Sequence, residues 1–171
     1  AAPAKPFVVV LGGAKVSDKL GAIEHLLPKA DTIIIGGAMA YTFLAAQGVR
    51  VGTSKVETDR IADAQRIIEL DKKLKVEILY PVDHVCSTQF AEKPGDIEVF
   101  DGHIKDGFMG LDIGPKTQTK FALALRKAKT IVWNGPMGVF EWAPFQQGTQ
   151  QVAKAIAEAT KNGATSIVGG G

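Results

Sequence analysis

Neither of the two familiar phosphate-binding fingerprints occurs in this chain: there is no G-x-x-x-x-G-K-[ST] and no G-x-G-x-x-G. A single cysteine, Cys86, excludes an internal disulfide and fits a reducing compartment, so the cytoplasm is expected. Charge of one sign is also missing. The formal net charge is +2 with acids and bases interspersed, which gives no polyanion-binding face and argues against nucleic acid as a partner. The start, Ala-Ala-Pro-Ala-Lys-Pro, has neither an initiator Met nor a hydrophobic core behind a basic tip. It does not read as a signal sequence, and the chain is expected to be an internal piece of something longer. One long uncharged run, Thr32 to Val49, reaches the length of a membrane span, but Gly36-Gly37, Tyr41, Thr42 and Gln47 interrupt it. A strand followed by a helix explains it better, and no membrane association is expected.

What is present is enough for one domain, 1–171, with a sizeable core: 171 residues, 46% of them hydrophobic. The run Phe7 to Lys19 organises it. Phe-Val-Val-Val-Leu lacks period-two alternation, as a parallel strand covered on both faces does. It breaks on Gly12-Gly13 and leads into a helix, where backbone N–H groups and the positive helix end suit a phosphate. Lys15 and Lys19 are four apart, so a helix already begun at Lys15 would turn both toward one anion. The plainer reading is a tight strand-to-helix connection with two solvated lysines.

Further along, Ser17 or Asp18 is expected to cap a helix with the stripe Leu20, Ile23, Leu26 and Leu27, beside which His25 reads as a partly buried or surface residue. Thr32 to Ile35 is a strand ending in Gly36-Gly37, and Ala38 to Gln47 a helix stopped by Gly48. A charged amphipathic helix is expected over Thr58 to Leu74, with Ile61, Ala64, Ile67 and Ile68 inward, then a core strand over Val76 to Val82. Asp83 and His84 follow at its end and read as a turn and a satisfied polar pair, since two residues do not define a metal site. Between Cys86 and Gly110, three turns around Ile97 to Phe100 predict a small β excursion. The segment Phe108 to Pro115 leads into a helix bearing Phe121 and Leu125, with Pro115 in its first turn. Thr130 to Trp133 is a fourth core strand, Phe145 to Thr160 the last helix, and Ala164 to Val168 a fifth strand running into Gly169-Gly170-Gly171.

Alternating strands and helices predict an α/β, doubly wound (Rossmann-like) parallel sheet in three layers, with the β excursion near residues 86–107. Three strands then end in glycine pairs or a triplet and a fourth in Asn134-Gly135-Pro136, all on one carboxyl edge. Small residues along that edge suit a flat ligand laid against backbone, as a nucleotide would be.

The segments Gly12 to Lys19, Ile35 to Ala40, Gly110 to Pro115 and Val132 to Glu141, in this order, closely resemble the carboxy-terminal, nucleotide-binding half of the phosphoglycerate kinase family. The resemblance implies an ATP-binding kinase of glycolysis that moves the acyl phosphate of 1,3-bisphosphoglycerate to MgADP. It places adenine against Gly13, Ala14, Gly36, Gly37, Gly110, Leu111 and Val139, with Glu141 at the ribose and Pro136 and Gly138 shaping that side. Lys15 and Lys19 would hold phosphates with Asn134 assisting. Gly169, Gly170 and Gly171 would supply N–H donors, so that Lys19, Gly170 and Gly171 attend the group in flight. No protein nucleophile is required, which agrees with the lack of a cysteine or serine triad.

The departures are as specific. The family's amino-terminal half, with the basic residues for the triose, is absent; it would be the partner of this one within a monomeric parent. The aspartate that follows the last glycines and ligates Mg²⁺ is absent too, and Ala38 stands where a glycine is frequent. The chain is therefore expected to end at a truncated functional loop, to bind nucleotide weakly and not to turn over alone. A dinucleotide-binding module and a folded scaffold without a ligand are the competing readings; the first lacks the acid that such modules carry after the second strand.

Overall fold

In the computed structural model, which describes residues 2–169, the chain forms a five-stranded parallel sheet with helices on both faces and a small antiparallel sheet beside it. The parallel sheet is built from β1 (Phe7–Leu11), β2 (Thr32–Ile35), β3 (Glu77–Leu79), β7 (Thr130–Asn134) and β8 (Thr165–Gly169), in the order β3-β2-β1-β7-β8. The antiparallel sheet holds β4 (Asp83–Ser87) at its centre, between β5 (Ile97–Asp101) and β6 (Met109–Ile113).

β1 is apolar throughout because it is covered twice, its successive side chains pointing to opposite faces. Phe7, Val9 and Leu11 join the core under α1 (Leu20–Leu26), α2 (Met39–Ala46) and α3 (Ile61–Leu74), with Ile33, Phe43 and Ile67. Val8 and Val10 join the other, under α4 (Pro115–Lys127) and α5 (Gln147–Lys161), with Phe121, Leu125, Val152 and Ile156. A third cluster, including Tyr41, Leu44, Cys86, Ile104 and Phe108, packs α2 against the antiparallel sheet.

The expected layers and the five parallel strands are present, and six local expectations are corrected. The third strand is three residues long instead of spanning Val76 to Val82, because Pro81 cannot continue the ladder. Asp83 and His84 are not a turn: they begin β4, and both are buried. Asp83 can be buried because its carboxylate accepts the N–H groups of Lys116 and Thr117, each at 2.9 Å, which satisfies the otherwise open first turn of α4. Residues 109–113, read as a lead-in to a helix, are instead a strand, so the β excursion spans 83–113. Finally, a 3₁₀ turn, Val16–Asp18, precedes α1, and neither Ser17 nor Asp18 caps the helix. The amphipathic helix likewise begins as a 3₁₀ turn, Thr58–Arg60, with Ala64 and Ile67 its buried residues, and α5 begins at Gln147, after a 3₁₀ turn over Ala143–Phe145. His25 is exposed, as expected. The uncharged run resolves into β2 and α2; among the described residues no helix is long and apolar enough to cross a membrane.

Candidate functional site

The carboxyl ends of β1, β2 and β7 are joined by backbone hydrogen bonds. Gly12 donates its N–H to the Asn134 carbonyl at 2.9 Å, Gly13 to that of Pro136 at 3.0 Å, and Gly37 to that of Met137 at 3.1 Å. Gly36 donates back to Leu11, and Met39 to Gly13. The sequence pattern aimed the glycine N–H groups at a phosphate; in the structure those of Gly12, Gly13, Gly36 and Gly37 are engaged by carbonyls. Close approach is what requires glycine here. A methyl group on Gly37, whose φ is +70°, would fall 2.5 Å from the backbone N and O of Gly13. Gly36 lies beneath the Met137 thioether, so it admits that side chain instead of facing the crevice.

Over these tips opens a cavity of about 580 Å³ with a largely apolar wall. Gly13, Ala14, Gly37 and Ala38 form one side, Gly110, Leu111 and Asp112 another, and Pro136, Met137, Gly138, Val139 and Glu141 a third. Nine residues expected from the sequence thus meet in one place: Gly13, Ala14, Gly37, Gly110, Leu111, Pro136, Gly138, Val139 and Glu141. Tyr41, Thr53, Lys55, Phe90 and Met109 complete the wall, and sequence reasoning assigned no role to them or to Asp112. Thr53 and Lys55 lie in a polar loop that carries no periodicity, whereas an acid enclosed by apolar neighbours in Leu111-Asp112-Ile113 is a legible signal.

Beside Gly13 and outside the residues that line the cavity, the Lys19 ammonium donates to Asn134 Oδ1, and its Cε lies 3.6 Å from where a methyl on Gly13 would stand. Asn134 pairs in register with Gly169 at the end of β8. Lys19, Asn134 and Gly169 therefore stand together at the strand ends. Lys15 does not join them: it precedes the 3₁₀ turn in extended conformation (φ −129°, ψ 128°) and is exposed, so the helical i, i+4 alignment with Lys19 is not formed. Gly170 and Gly171 lie outside the described residues.

Beneath the cavity lies a buried polar group. Asp112 accepts the N–H groups of Gly148 and Ile113, each at 2.9 Å, and burial pushes its carboxyl up to about 7 against those two hydrogen bonds. The Tyr41 hydroxyl sits 3.2 Å from His84 Nδ1, while His84 Nε2 has no hydrogen-bond partner among the described residues. The satisfied polar pair is thus realised by Asp83 and only in part by His84. Burial drives the imidazole down to about 4 and the Cys86 thiol up to about 12, so neither a cationic histidine nor a thiolate is available here near neutral pH. Among the described residues no cluster of three or more His, Cys, Asp or Glu side chains is placed to hold a metal ion.

The family model described as phosphoglycerate kinase matches residues 1–171. Among curated relatives, the phosphoglycerate kinase of Thermosipho africanus is 56% identical over 171 residues, and that of Clostridium novyi 53% identical over 169. Each alignment covers 99% of this chain and 42% of the relative, so the chain spans about two-fifths of the length of the proteins it matches. Among solved structures, phosphoglycerate kinase from Coxiella burnetii superposes with a TM-score of 0.93 at 41% identity, covering 99% of this chain and 43% of that one. The enzyme from Pyrococcus horikoshii gives a TM-score of 0.84 at 35% identity, with 98% and 42% covered.

Proposed function

Because the chain belongs to the phosphoglycerate kinase family, we propose that it binds ADP or ATP in the crevice at the strand ends, as the nucleotide half of an enzyme that transfers the acyl phosphate of 1,3-bisphosphoglycerate to MgADP. The observation that carries this reading is the polarity of the crevice. Its apolar walls converge on backbone at Gly13, Gly37 and Gly110, while Lys19, just outside the lining and beside Gly13, is paired with Asn134. A flat base fits the first region and a phosphate chain the second.

Adenine would lie against Gly13, Ala14, Gly37, Leu111 and Val139, and Glu141, which is exposed on the loop after β7, would accept from the ribose hydroxyls. Lys19 would exchange its bond with Asn134 for the phosphates, neutralising charge on the group in flight. Phosphoryl transfer asks for little more from a protein than position and charge. Gly169, with Gly170 and Gly171 after it, would add N–H donors.

The residues present do not by themselves fit a magnesium ion, since among those described there is no carboxylate cluster of the required kind. This reading therefore assigns the chain's own atoms to the nucleotide alone. The triose half of the parent, absent from this sequence, would be the partner, and turnover would need it. A cytoplasmic setting is proposed with it, supported by the free, buried thiol of Cys86. Against a dinucleotide stands the end of β2, where Gly36 under Met137 takes the place of a ribose-binding acid.

Titration calorimetry of this chain with MgADP, and with NADH as control, tests the proposal. Binding of MgADP, even at millimolar dissociation constant, with NADH silent is expected. A folded chain that binds neither would be a scaffold, and one that prefers NADH a dinucleotide module.

A further inference from the structure

We propose that Glu57 is a positioning residue for the phosphate end of the crevice, holding the turn that carries Lys19. The inference rests on the nucleotide reading above. The turn Val16–Asp18 has little of its own to hold it: it is three residues long, no side chain caps it, and α1 behind it spans only seven residues. Packing of the fully buried Val16 fixes one side. Glu57 fixes the other. The Ser17 hydroxyl donates to Glu57 Oε2 at 2.8 Å and the Ser17 N–H to Oε1 at 3.3 Å, so both oxygens of one carboxylate serve a residue two positions before Lys19. Among the described residues Glu57 forms no ion pair, so its charge is directed at the turn and not at a surface cation.

Glu57 is itself held. Its N–H donates to Thr42 Oγ1 at 3.0 Å, and Thr42, on α2, is 1% exposed. Three residues earlier, the buried Ser54 hydroxyl accepts the Gly110 N–H at 2.8 Å, beside Thr53, whose N–H donates to the Phe108 carbonyl at 2.8 Å. Gly110 and Thr53 line the crevice. Residues 53–57 therefore tie the wall for the base to the turn that bears the lysine. Loss of the Glu57 carboxylate frees that turn, and Lys19 loses its set distance from a base seated on the other end of the strap.

Calorimetry on the 171-residue chain with MgADP and with adenosine separates this role from a general structural one. Glu57→Ala should weaken MgADP about tenfold while adenosine changes by less than about twofold. Glu57→Gln should restore most of the difference, because its amide accepts from the Ser17 N–H and donates to the Ser17 hydroxyl. Ser17→Ala should give part of the loss and add nothing in the Glu57→Ala background. Equal losses for the two ligands, or additive losses from the two alanine variants, would overturn the assignment. If Glu57→Ala fails to fold, Ser17→Ala against the unmodified chain makes the same comparison. An unmodified chain that is silent with MgADP would overturn the nucleotide reading, and the role of Glu57 with it.

Discussion

The carboxylate of Asp112, on β6, accepts the backbone N–H of Gly148 at 2.9 Å, in the first turn of α5, while its Oδ1 lies 2.6 Å from where a methyl on Gly138 would stand. One buried side chain thus joins the antiparallel sheet, the loop after β7 and the last helix. Gly138 and Gly148 are the residues that let it in: at either one, a side chain would occupy the space of the carboxylate.

This burial gives stability an unusual pH dependence. The Asp112 carboxyl is raised from 3.8 to about 7, so the native state holds a proton that the unfolded chain has lost; its contribution, on the order of 4 kcal/mol, is complete below pH 3.8 and is lost as pH rises to about 7. His84 acts in the opposite sense. Its imidazole is lowered from 6.5 to about 4, so its contribution, on the order of 3 kcal/mol, is present above pH 6.5 and lost as pH falls to about 4. The two oppose each other in the window they share. Asp112→Asn should leave stability rising between pH 4 and 6.5, and His84→Gln should leave it falling, as read by urea denaturation at a series of pH values; slopes of the same sign in both variants would contradict this.

Lys19→Ala should weaken ATP by about ten- to a hundredfold, the scale of a charge-assisted hydrogen bond, and adenosine hardly at all. Lys15→Ala should have a smaller effect, since Lys15 is exposed and stands apart from the Lys19–Asn134 pair. Equal losses for ATP and adenosine on removing Lys19 would take it out of phosphate binding.

Two glycine substitutions should differ in sign. Gly37→Ala forces a methyl to within 2.5 Å of Gly13 backbone at a positive φ and should cost about 2–4 kcal/mol. Gly21→Ala, on the exposed face of α1 with nothing within 4 Å, should stabilise by up to about 1 kcal/mol. Thermal or urea unfolding decides both.

Asp83→Ala leaves the N–H groups of Lys116 and Thr117 without their acceptor at the buried start of α4, and should destabilise by about 2–4 kcal/mol. The loss should be accompanied by faster amide exchange in the first turn of α4 and not in α3.

The parallel sheet was legible because β1 and β2 carry the strongest local signal a sequence has, continuous runs of Val and Ile that end on glycine. Of the antiparallel sheet, the excursion around Ile97 to Phe100 was legible, and the strands β4 and β6 on either side of it in sequence were not. β6 reads Met-Gly-Leu-Asp-Ile, with a glycine and an acid inside it, and β4 reads Asp-His-Val-Cys-Ser; both break the propensity rule because their polar residues are satisfied by partners far along the chain, Gly148 for Asp112 and Thr117 for Asp83. The crevice was legible as a set of small residues at strand ends. What those glycines do was not: their N–H groups turn to neighbouring loops, a relation that depends on how near two tips come in space. Phe90 and Lys55 reach the same cavity from polar loops, where no periodic pattern points to a destination.

β1 divides its side chains between two cores, and both are apolar. A strand with one wet face is kept in register because a slip of one residue would expose its oily side; β1 has no such penalty, since a slip merely exchanges one apolar set for the other. Its registration must come from the end. There, Gly12 sits against the Pro136 carbonyl so closely that Leu11, with its branched side chain, could not take its place. The glycines that shape the crevice also act as the stop against which the central strand is indexed, and a chain that lost them would lose its alignment along with its site.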